Sequence, residues 1–433
     1  MSQAPRCLDV AVVGCGTAGP AAALFLARAG HKVTVYERVP DPQPVGAGIV
    51  LQPIGQAVLG RLGLLPSVLA RAARVERLYC ETDRQRKLFD LSYATLEPRL
   101  TGYGLHRGVL FEALFEAVGR TNVSIRSGVA ICAFEDRHLV DVEGNHHGPH
   151  ELVIVADGAR SRLRDATAGA LGTSVRPYRW GALWFIGEDP DGQFASRLHQ
   201  IVRGTSRMLG ILPTGLGPRA RGLGTPLVTL FWSLRADRFD DVRMHLGAWK
   251  REVRAHAPVA GPLLDQIEGP EQITFSSYHD VTMSRWGTES VVYLGDAAHA
   301  MSPQLGQGCN LALYDAMVLA DCVTEFGHVA PALAHYTHRR RRHLAFYQLA
   351  TRWLTPFFQS DSRILGWLRD RCMGSLSQIP FVHREMVRSM TGLKLGWLTG
   401  SLPPALVADA LERDLRILAP REDDALDLEP IVP

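Results

Sequence analysis

The pattern of apolar and polar positions along the chain predicts a parallel sheet flanked by helices. Residues 8–13 are apolar at nearly every position, as expected of a parallel strand that is buried on both faces. An Ala- and Leu-rich stretch over 17–29 predicts a helix, and residues 32–37 predict the next strand, which completes one βαβ unit. The apolar runs 152–156 and 291–295 predict two further buried strands.

Residues 178–235 follow a different pattern, in which runs of β-branched and aromatic residues are separated by glycine and proline. Such runs predict a mostly antiparallel sheet and a second domain. Two short alternating runs within residues 75–93 predict a hairpin, and the chain from residue 331 to about 400 is predicted to be helical. The fold class is therefore α/β, with an antiparallel sheet and C-terminal helices added to the parallel unit.

A glycine-rich turn, Gly14-Cys15-Gly16-Thr17-Ala18-Gly19, joins the first strand to the first helix. The first two glycines permit a tight turn and the approach of a pyrophosphate, and the third lets the helix pack closely on the sheet. Glu37 ends the next strand, where a carboxylate accepts hydrogen bonds from ribose hydroxyls. This combination predicts a dinucleotide site and leaves NAD and FAD both open.

Two more turns that contain an acid follow the buried strands 152–156 and 291–295. They are Asp157-Gly158-Ala159-Arg160-Ser161 and Gly295-Asp296-Ala297-Ala298-His299, the second followed by Pro303, Gly306, Gly308 and Asn310. An acid in this position can bind sugar or ribityl hydroxyls, and a glycine-rich helix start can face the electron-rich edge of a ring. Either turn is common by itself, but in this order with the first motif the two predict a cofactor site.

Composition and charge narrow the class of protein. The 433 residues are 46% hydrophobic and 21% charged, the proportions of a globular protein of two or three domains. The net charge of +3 gives no reason to expect a nucleic-acid partner. Seven scattered cysteines predict neither a disulfide framework nor a metal site and fit a reducing cytoplasm. No apolar run is long enough to predict a membrane span, which leaves peripheral association open.

The three motifs, with GAGIVLQP at 46–53 and LHRGVL at 105–110, resemble the single-component (group A) FAD-dependent monooxygenases with the p-hydroxybenzoate hydroxylase fold. The resemblance spans residue 8 to about 345. It implies a Rossmann-like FAD-binding domain interleaved with an antiparallel-sheet substrate domain, plus C-terminal helices. The implied boundaries are 1–75, 100–176 and 281–345 for the FAD-binding domain, 76–99 and 177–280 for the substrate domain, and 346–433 for the C-terminal helical region.

The resemblance also implies roles for single residues around FAD. Glu37 and Arg38 are expected to contact the adenosine ribose, and Arg107 the pyrophosphate region. Asp296 is expected to bind the ribityl chain and the pyrophosphate. Asp157 is expected to link flavin binding to a transient contact with NAD(P)H. No second nucleotide-binding motif is present for NAD(P)H, which agrees with this family.

The ring of the flavin is expected to lie beside Gly306 and Gly308, with Gly48 in a flavin-side segment. All of these expectations rest on the resemblance. The complete set of predicted cofactor-binding residues is Gly14, Gly16, Thr17, Ala18, Gly19, Glu37, Arg38, Gly48, Arg107, Asp157, Asp296, Gly306 and Gly308.

The implied reaction uses NAD(P)H and O2 to hydroxylate an electron-rich aromatic or related small molecule through a flavin hydroperoxide. His199 roughly matches the region where this fold places a phenol-contacting residue, and it is the predicted catalytic residue. Trp184, Phe231 and Trp232 are candidates for apolar walls of the substrate pocket. No arginine is clearly placed to bind a substrate carboxylate, so a benzoate-like substrate is unsupported.

Four other functions remain as alternatives. A plain NAD dehydrogenase is disfavoured by the Gly295-Asp296 motif. A flavin-dependent halogenase would share the FAD motifs, although the pattern WxWxIP of tryptophan halogenases is absent. A flavin-dependent reductase or desaturase would share them without inserting oxygen. A non-catalytic flavin-binding protein would share them without turnover.

Several conspicuous residues are predicted to be structural. The run Arg339–Arg342 is predicted to lie on a solvated helix face, and His299 to have a structural placement. The aromatic residues of the last hundred positions are predicted to pack in the core of a helical domain. They are Trp353, Phe357, Phe358, Trp367 and Trp397.

Overall fold

The first strand of the chain lies at the centre of a five-stranded parallel sheet, in a computed structural model that describes residues 6–166, 168–219, 224–397 and 400–402. The strands are β1 (Asp9–Val13), β2 (Lys32–Glu37), β3 (Gly48–Leu51), β4 (Ala73–Thr82), β5 (Lys87–Ser92), β6 (Gly102–His106), β7 (Ser124–Ser127), β8 (Ile131–Glu135), β9 (His138–Asp141), β10 (His146–His147), β11 (Leu152–Val155), β12 (Thr173–Glu188), β13 (Ser196–Arg203), β14 (Arg207–Gly215), β15 (Leu227–Arg235), β16 (Thr274–Met283) and β17 (Val291–Tyr293).

The helices lie between these strands and after them. They are α1 (Ala18–Arg28), α2 (Pro53–Arg61), α3 (Leu65–Leu69), α4 (Arg107–Gly119), α5 (Arg162–Ala166), α6 (Ala168–Leu171), α7 (Phe239–Met244), α8 (Leu246–His256), α9 (Gly261–Asp265), α10 (Asp296–His299), α11 (Gly308–Phe326), α12 (Val329–Phe358), α13 (Arg363–Leu376) and α14 (Pro380–Met390).

The parallel sheet has the order β17-β11-β1-β2-β7, and every neighbouring pair is parallel. Val10, Ala11 and Val12 of β1 are fully buried in a core cluster that contains residues of α1 and Leu139 of the three-stranded antiparallel sheet β10-β9-β8. The strands predicted at 8–13, 32–37, 152–156 and 291–295 are confirmed. The carboxyl ends of β1, β2, β11 and β17 meet at one edge, so the loops that follow them carry the site.

The second sheet is larger and has the order β16-β12-β15-β14-β13-β4-β6-β3, with β5 paired to β4. All neighbours are antiparallel except β13 and β4, and the predicted hairpin is the β4–β5 pair. Helices α8 and α9 cover one face through a cluster that includes Ile211 and Trp232; we call this the helix face. The prediction of a Rossmann-like unit combined with an antiparallel sheet is confirmed.

The opposite face of this sheet looks toward the rest of the molecule, and we call it the inner face. Gln200, Gly210, Phe231 and Trp184 stand directly opposite one another on four neighbouring strands, so they share this face. Part of it packs on a cluster formed by Phe358 and by residues of α14. The inner face is therefore the wall of the large sheet that the C-terminal helices close.

The C-terminal helices are α12, α13 and α14, and the prediction of helical structure holds as far as Met390. Residues 391–397 form no helix. The remainder of the predicted C-terminal region, 403–433, lies outside the described residues. Among the residues that are described, no helix is both long and apolar enough to cross a bilayer.

Candidate cofactor and active site

The turn after β1 presents bare backbone to one side. Gly14 has φ +104°, and a Cβ atom added to it would lie 2.5 Å from the carbonyl oxygen of Ala156. A Cβ added to Gly19 would lie 2.0 Å from the carbonyl oxygen of Gly14, so the start of α1 packs directly on the turn. An added Cβ at Gly16 would meet no described atom within 4 Å, which leaves this side open to a ligand.

Glu37 holds the same turn from the end of β2. Its carboxylate accepts hydrogen bonds from the N–H of Cys15 at 2.8 Å and of Val39 at 2.9 Å. Burial raises the pKa of the Cys15 thiol to about 12, and the charge of Glu37 acts in the same direction. A carboxylate has about four acceptor positions, so Glu37 can hold the turn and still accept a hydrogen bond from a ribose hydroxyl.

Asp157 follows β11 and lies against the glycine turn, because a Cβ added to Gly14 would come within 2.9 Å of its Cα. Burial raises the pKa of Asp157, while the charges of Arg164 and Arg38 act to lower it. Its Oδ1 atom is buried and has no hydrogen-bond partner among the described residues. A buried acceptor of this kind is satisfied when a ligand donates to it.

Asp296, Arg107 and Thr17 come from three distant parts of the chain and surround Cys309. The Sγ atom of Cys309 is 4.0 Å from Oγ1 of Thr17. Burial raises the pKa of this thiol to about 11; Arg107 lowers it and Asp296 raises it, which places both charges near the sulfur. Asp296 and Arg107 are exposed. A carboxylate and a guanidinium are thus available beside the turn.

The start of α11 is the next part of the site. Gly306 has the left-handed conformation with φ +61°, which favours glycine. A Cβ added to Gly308, the first residue of α11, would lie 3.7 Å from Oδ1 of Asp296. The N–H groups of the first helical turn have no partners within the helix, so this end favours negative charge.

Asn310 and Gln52 belong to this site, although neither was among the predicted cofactor residues. The Asn310 amide donates to the carbonyls of Val50 at 3.0 Å and Gly306 at 3.1 Å, and its Oδ1 accepts from the Gln52 N–H at 2.8 Å. Tyr93 donates to the Gln52 side chain at 2.7 Å. The sequence clues to these two residues were the amide in GQGCN at 306–310 and the segment GAGIVLQP at 46–53, which contains Gln52.

A fully buried ion pair lies behind α10 and α11. Oδ2 of Asp315 accepts from the N–H of Gly295 at 2.9 Å and from Nε2 of His299 at 2.5 Å, and Oδ1 accepts from Nε of Arg340 at 2.7 Å. Burial acts to raise the pKa of Asp315, but His299 and Arg340 outweigh it and hold that pKa below its usual range. Asp315 thus fixes the residue directly before Asp296.

The buried pair continues into the C-terminal segment through His343. Arg340 donates to Nδ1 of His343, and Nε2 of His343 donates to the carbonyl of Gly392 at 2.8 Å. The prediction of a solvated arginine run is therefore wrong for Arg340, whose side chain is completely buried, while Arg339, Arg341 and Arg342 are exposed. The structural placement predicted for His299 agrees with its bond to Asp315.

The loop that precedes α11 is tied to the inner face of the large sheet. Ser302 and Thr355 share a hydrogen bond of 2.8 Å between their hydroxyls. Gln304 donates to Gln359 at 3.0 Å, and Gln359 donates to Oγ of Ser233 at 3.0 Å. Because Ser233 lies on the inner face, two residues along β15 from Phe231, this face is the wall nearest the loop.

Two of the three predicted aromatic walls lie on the inner face. The rings of Trp184 and Phe231 are 5.2 Å apart, and both side chains are only partly buried. The Phe231 ring covers Gly210, where an added Cβ would lie 1.8 Å from Cζ of the ring. Trp232 belongs to the helix face instead.

The structure does not bring His199 to this site. His199 stands opposite Ile211, a residue of the helix face. Its Nε2 atom is hydrogen-bonded to the Glu81 carboxylate at 2.9 Å. Its neighbour Gln200 has the inner-face position, because successive side chains of a strand alternate. His199 thus lies on the face away from the loop before α11, a position that does not support the predicted catalytic role.

Gly48 is enclosed by protein. A Cβ added to it would lie 2.3 Å from Oγ1 of Thr229 and 2.9 Å from Oγ1 of Thr214, which are hydrogen-bonded to each other at 2.8 Å. Close packing between strands thus requires glycine at position 48. The contact of Gly48 with the flavin stays a prediction.

The remaining predicted residues form one continuous set that fits FAD. The bare turn at Gly16 and the start of α1 suit a pyrophosphate, and the orphaned Oδ1 atom of Asp157 accepts a hydroxyl. Asp296 and the start of α11 add a carboxylate and free N–H groups beside this turn, where a ribityl chain and the edge of a ring can be bound.

Comparison with known proteins agrees with this fit. The family model described as FAD binding domain matches residues 7–348. Kynurenine 3-monooxygenase of Salinispora tropica is 32% identical over 372 residues, which cover 77% of this chain and 76% of the relative. The 2-heptyl-3-hydroxy-4(1H)-quinolone synthase of Mycobacteroides abscessus is 29% identical over 344 residues, covering 76% of this chain and 85% of the relative.

Among solved structures, HpxO of Klebsiella pneumoniae in complex with FAD and uric acid superposes with a TM-score of 0.73 at 21% identity, covering 90% of this chain and 98% of that one. This likeness shows a shared fold. The family match extends over most of the chain and includes all three motifs. The prediction of a monooxygenase rather than a halogenase, a reductase or a non-catalytic protein is confirmed by these relatives. The chain therefore belongs to the FAD-dependent monooxygenases with the p-hydroxybenzoate hydroxylase fold.

Proposed function

We propose that this protein uses NAD(P)H and O2 to hydroxylate an electron-rich aromatic or related small molecule that lies against Trp184 and Phe231. The observation that carries the proposal is the connection from the start of α11 to the inner face. The chain of bonds Gln304–Gln359–Ser233 joins the loop beside the cofactor residues to the partly exposed aromatic pair. These bonds tie the loop beside the cofactor residues to the sheet face that carries the aromatic pair.

FAD, when bound, accepts a hydride and activates O2, while the protein supplies binding, orientation and electrostatics. Glu37 and Asp157 would accept hydrogen bonds from hydroxyls at one end, and Asp296 at the other. The free N–H groups at the start of α11 would stabilise negative charge at the ring edge. Arg107 and Arg38 would balance the charge of the phosphates.

The substrate wall is aromatic and uncharged at the residues that face the loop. Trp184 and Phe231 offer flat faces on which an aromatic ring can stack. Gln359 and Ser233 bond to each other and to the loop, so they fix the wall and leave little polar surface free. The apolar cluster of Phe358 and Met390, which packs on the same inner face beside Phe231, limits the entry of water.

The relatives suggest the compounds to test first. Two relatives are named for a quinolone and for kynurenine, and one structural neighbour binds uric acid. The holoprotein should oxidise NADH or NADPH faster when an accepted compound is present, and the product should contain one oxygen atom from labelled O2. Equal turnover without O2 would contradict hydroxylation and indicate a reductase.

The site assignment has its own matched pair of variants. Trp184→Leu removes a stacking face, so KM for an accepted compound should rise about tenfold while FAD stays bound. His199→Gln should leave both KM and kcat unchanged, because His199 lies on the helix face. The reverse pattern would show that the substrate binds on the other side of the sheet.

A further inference from the structure

Helix α13 exposes its large apolar side chains. Ile364 is 76% exposed, Trp367 60% and Leu368 40%. Positions i, i+3 and i+4 are neighbours on a helix, so these three side chains form one patch. A surface helix ordinarily turns such residues inward.

The inner side of α13 carries few large apolar side chains. A Cβ added to Gly366 would lie 3.2 Å from Cα of Gly204, so the helix already packs closely there. The buried side chain of Arg369 donates to the carbonyl of Phe357 at 2.8 Å, and Met373 packs against an apolar cluster. Most of the large apolar side chains of α13 thus face outward, which indicates that the outer side has an apolar or interfacial partner.

Three more large apolar side chains are exposed at the end of α13 and shortly after it. Leu376 is 49% exposed, Ile379 46% and Phe381 64%. We call the whole set the outer apolar surface; its members are Ile364, Trp367, Leu368, Leu376, Ile379 and Phe381. Trp367 and Phe381 at its two ends are residue types that favour the boundary between water and lipid.

The charges around this surface are positive. Arg363, Arg371 and Arg384 are exposed, and the Arg371 guanidinium lies 5.5 Å from the centre of the Trp367 ring. Each acidic residue of 360–390 forms an ion pair with a basic residue. They are Asp361, bonded to Arg235; Asp370, bonded to Arg369; and Glu385, bonded to Arg388 and Lys394.

A cleft beside Phe381 adds a place for an anionic group. It has a volume of about 780 Å³, and its lining includes Lys87, His383 and Arg384. Asp90 also lines it; its Oδ2 atom accepts from Arg77 at 3.2 Å, and its buried Oδ1 atom has no hydrogen-bond partner among the described residues. Lys87 and Arg384 outnumber this one carboxylate, so the basic side of the cleft can take an anionic group.

We infer that the outer apolar surface binds peripherally to a bilayer that contains anionic phospholipids. Its side chains would enter the boundary between headgroups and acyl chains, and the arginines would lie against the lipid phosphates. A second copy of the chain is a poorer partner, because a two-fold contact centred on this surface brings its arginines close to one another without a free carboxylate among residues 360–390.

The test uses the full-length holoprotein and two kinds of vesicle, phosphatidylcholine alone and phosphatidylcholine mixed with phosphatidylglycerol. Co-sedimentation should be strong only with the mixed vesicles and should weaken as salt is added. The double variant Ile364→Ser, Trp367→Ser should bind at least tenfold more weakly. Arg371→Gln should bind about fivefold more weakly. Met244→Ser is the matched control, since Met244 is 73% exposed on α7, and it should bind normally.

Cys372 gives an independent readout, because it is exposed on α13. Its reaction with a maleimide, followed by mass spectrometry of its peptide, should be fast in the free protein and slow when mixed vesicles are present. The inference would be overturned if Cys372 of the wild type reacted slowly in the absence of lipid and the double variant reacted faster, because the surface would then already be covered by protein. Light scattering would then identify the protein that covers the surface. A doubled mass would indicate a second copy, and an unchanged mass would indicate residues 403–433, which contain eight acidic and three basic residues. Equal binding of the double variant and the wild type to mixed vesicles would also overturn it.

Discussion

Replacing Arg340 with methionine should destabilise the protein strongly. Arg340 and Asp315 are both completely buried and are joined by a bond of 2.7 Å. Methionine fills a similar volume but leaves the Asp315 carboxylate with only His299 and one backbone N–H. Removing one partner of a buried ion pair typically costs about 3–5 kcal/mol, since the other charge stays buried without compensation.

The effect should reach the cofactor as well as the fold. Asp315 bonds the N–H of Gly295, the residue before Asp296, so a shift of the carboxylate moves the predicted ribityl-binding acid. FAD affinity of Arg340→Met should therefore fall, in addition to the loss of stability. Urea unfolding of the apoprotein measures stability without the contribution of bound cofactor, and titration of folded apoprotein with FAD measures affinity.

Arg341 provides the control, because it is the next residue of the same helix and is exposed. Arg341→Met should change the unfolding free energy by no more than about 0.5 kcal/mol. Adding Asp315→Asn to Arg340→Met should recover part of the loss, since no buried charge then lacks a partner. If Arg340→Met and Arg341→Met have equal stability and equal FAD affinity, the reasoning about this buried pair is refuted.

Three further predictions concern other parts of the site. Glu37→Ala should weaken FAD binding about 10- to 100-fold, as measured by FAD fluorescence, because a charge-assisted acceptor and the support of the glycine turn are lost; unchanged affinity would place the ribose elsewhere. Burial and the charge of Arg340 lower the pKa of His343 to about 3. Below pH 6.5 the unfolded chain therefore binds a proton at His343 that the folded chain does not bind, and the free energy of unfolding decreases as the pH falls. The gap in unfolding free energy between wild type and His343→Gln should therefore shrink by about 2 kcal/mol from pH 7 to pH 5, and a constant gap would contradict this pKa. Gly48→Ala should lower the free energy of unfolding by about 1–3 kcal/mol, because its Cβ would lie 2.3 Å from Oγ1 of Thr229. Gly119→Ala should not lower it, because its Cβ would meet no described atom within 4 Å.

The sequence was most informative where local rules determine structure. The parallel strands could be predicted because a strand buried on both faces must be apolar throughout. The glycine turn and Glu37 could be placed because their spacing follows from one strand, one turn and one helix. The same reasoning located Asp157 and Asp296, each directly after a buried strand.

Other features depended on distant contacts. Alternation along β13 shows that His199 and Gln200 point to opposite faces, but it does not tell which face meets the loop before α11. The buried position of Arg340 depends on Asp315, 25 residues earlier on another helix. A charge run looks the same in sequence whether or not one member has a buried partner.

The C-terminal tryptophans also show that burial cannot be predicted from residue type alone. Phe358 is buried as expected of core packing, but Trp353, Trp367 and Trp397 are 69%, 60% and 52% exposed, so the prediction was wrong for all three. The apolar character of these residues was correctly recognised, and the direction in which α13 faces was not. That direction is set by Gly366 and Arg369, whose packing against other segments is invisible in the helix pattern.

The order of the strands in the parallel sheet has a consequence for how the protein is made. β1 is complete after residue 13, yet its neighbour β11 ends at residue 155 and the outer strand β17 at residue 293. The two cofactor motifs at Gly14 and Asp296 are 296 − 14 = 282 residues apart. At about 5–20 residues per second, a ribosome needs about 15–60 s to cover that distance. During this time the glycine turn is present without its opposite half, so both halves of the FAD site exist only after 296 of the 433 residues, about two thirds of the chain, have been synthesised.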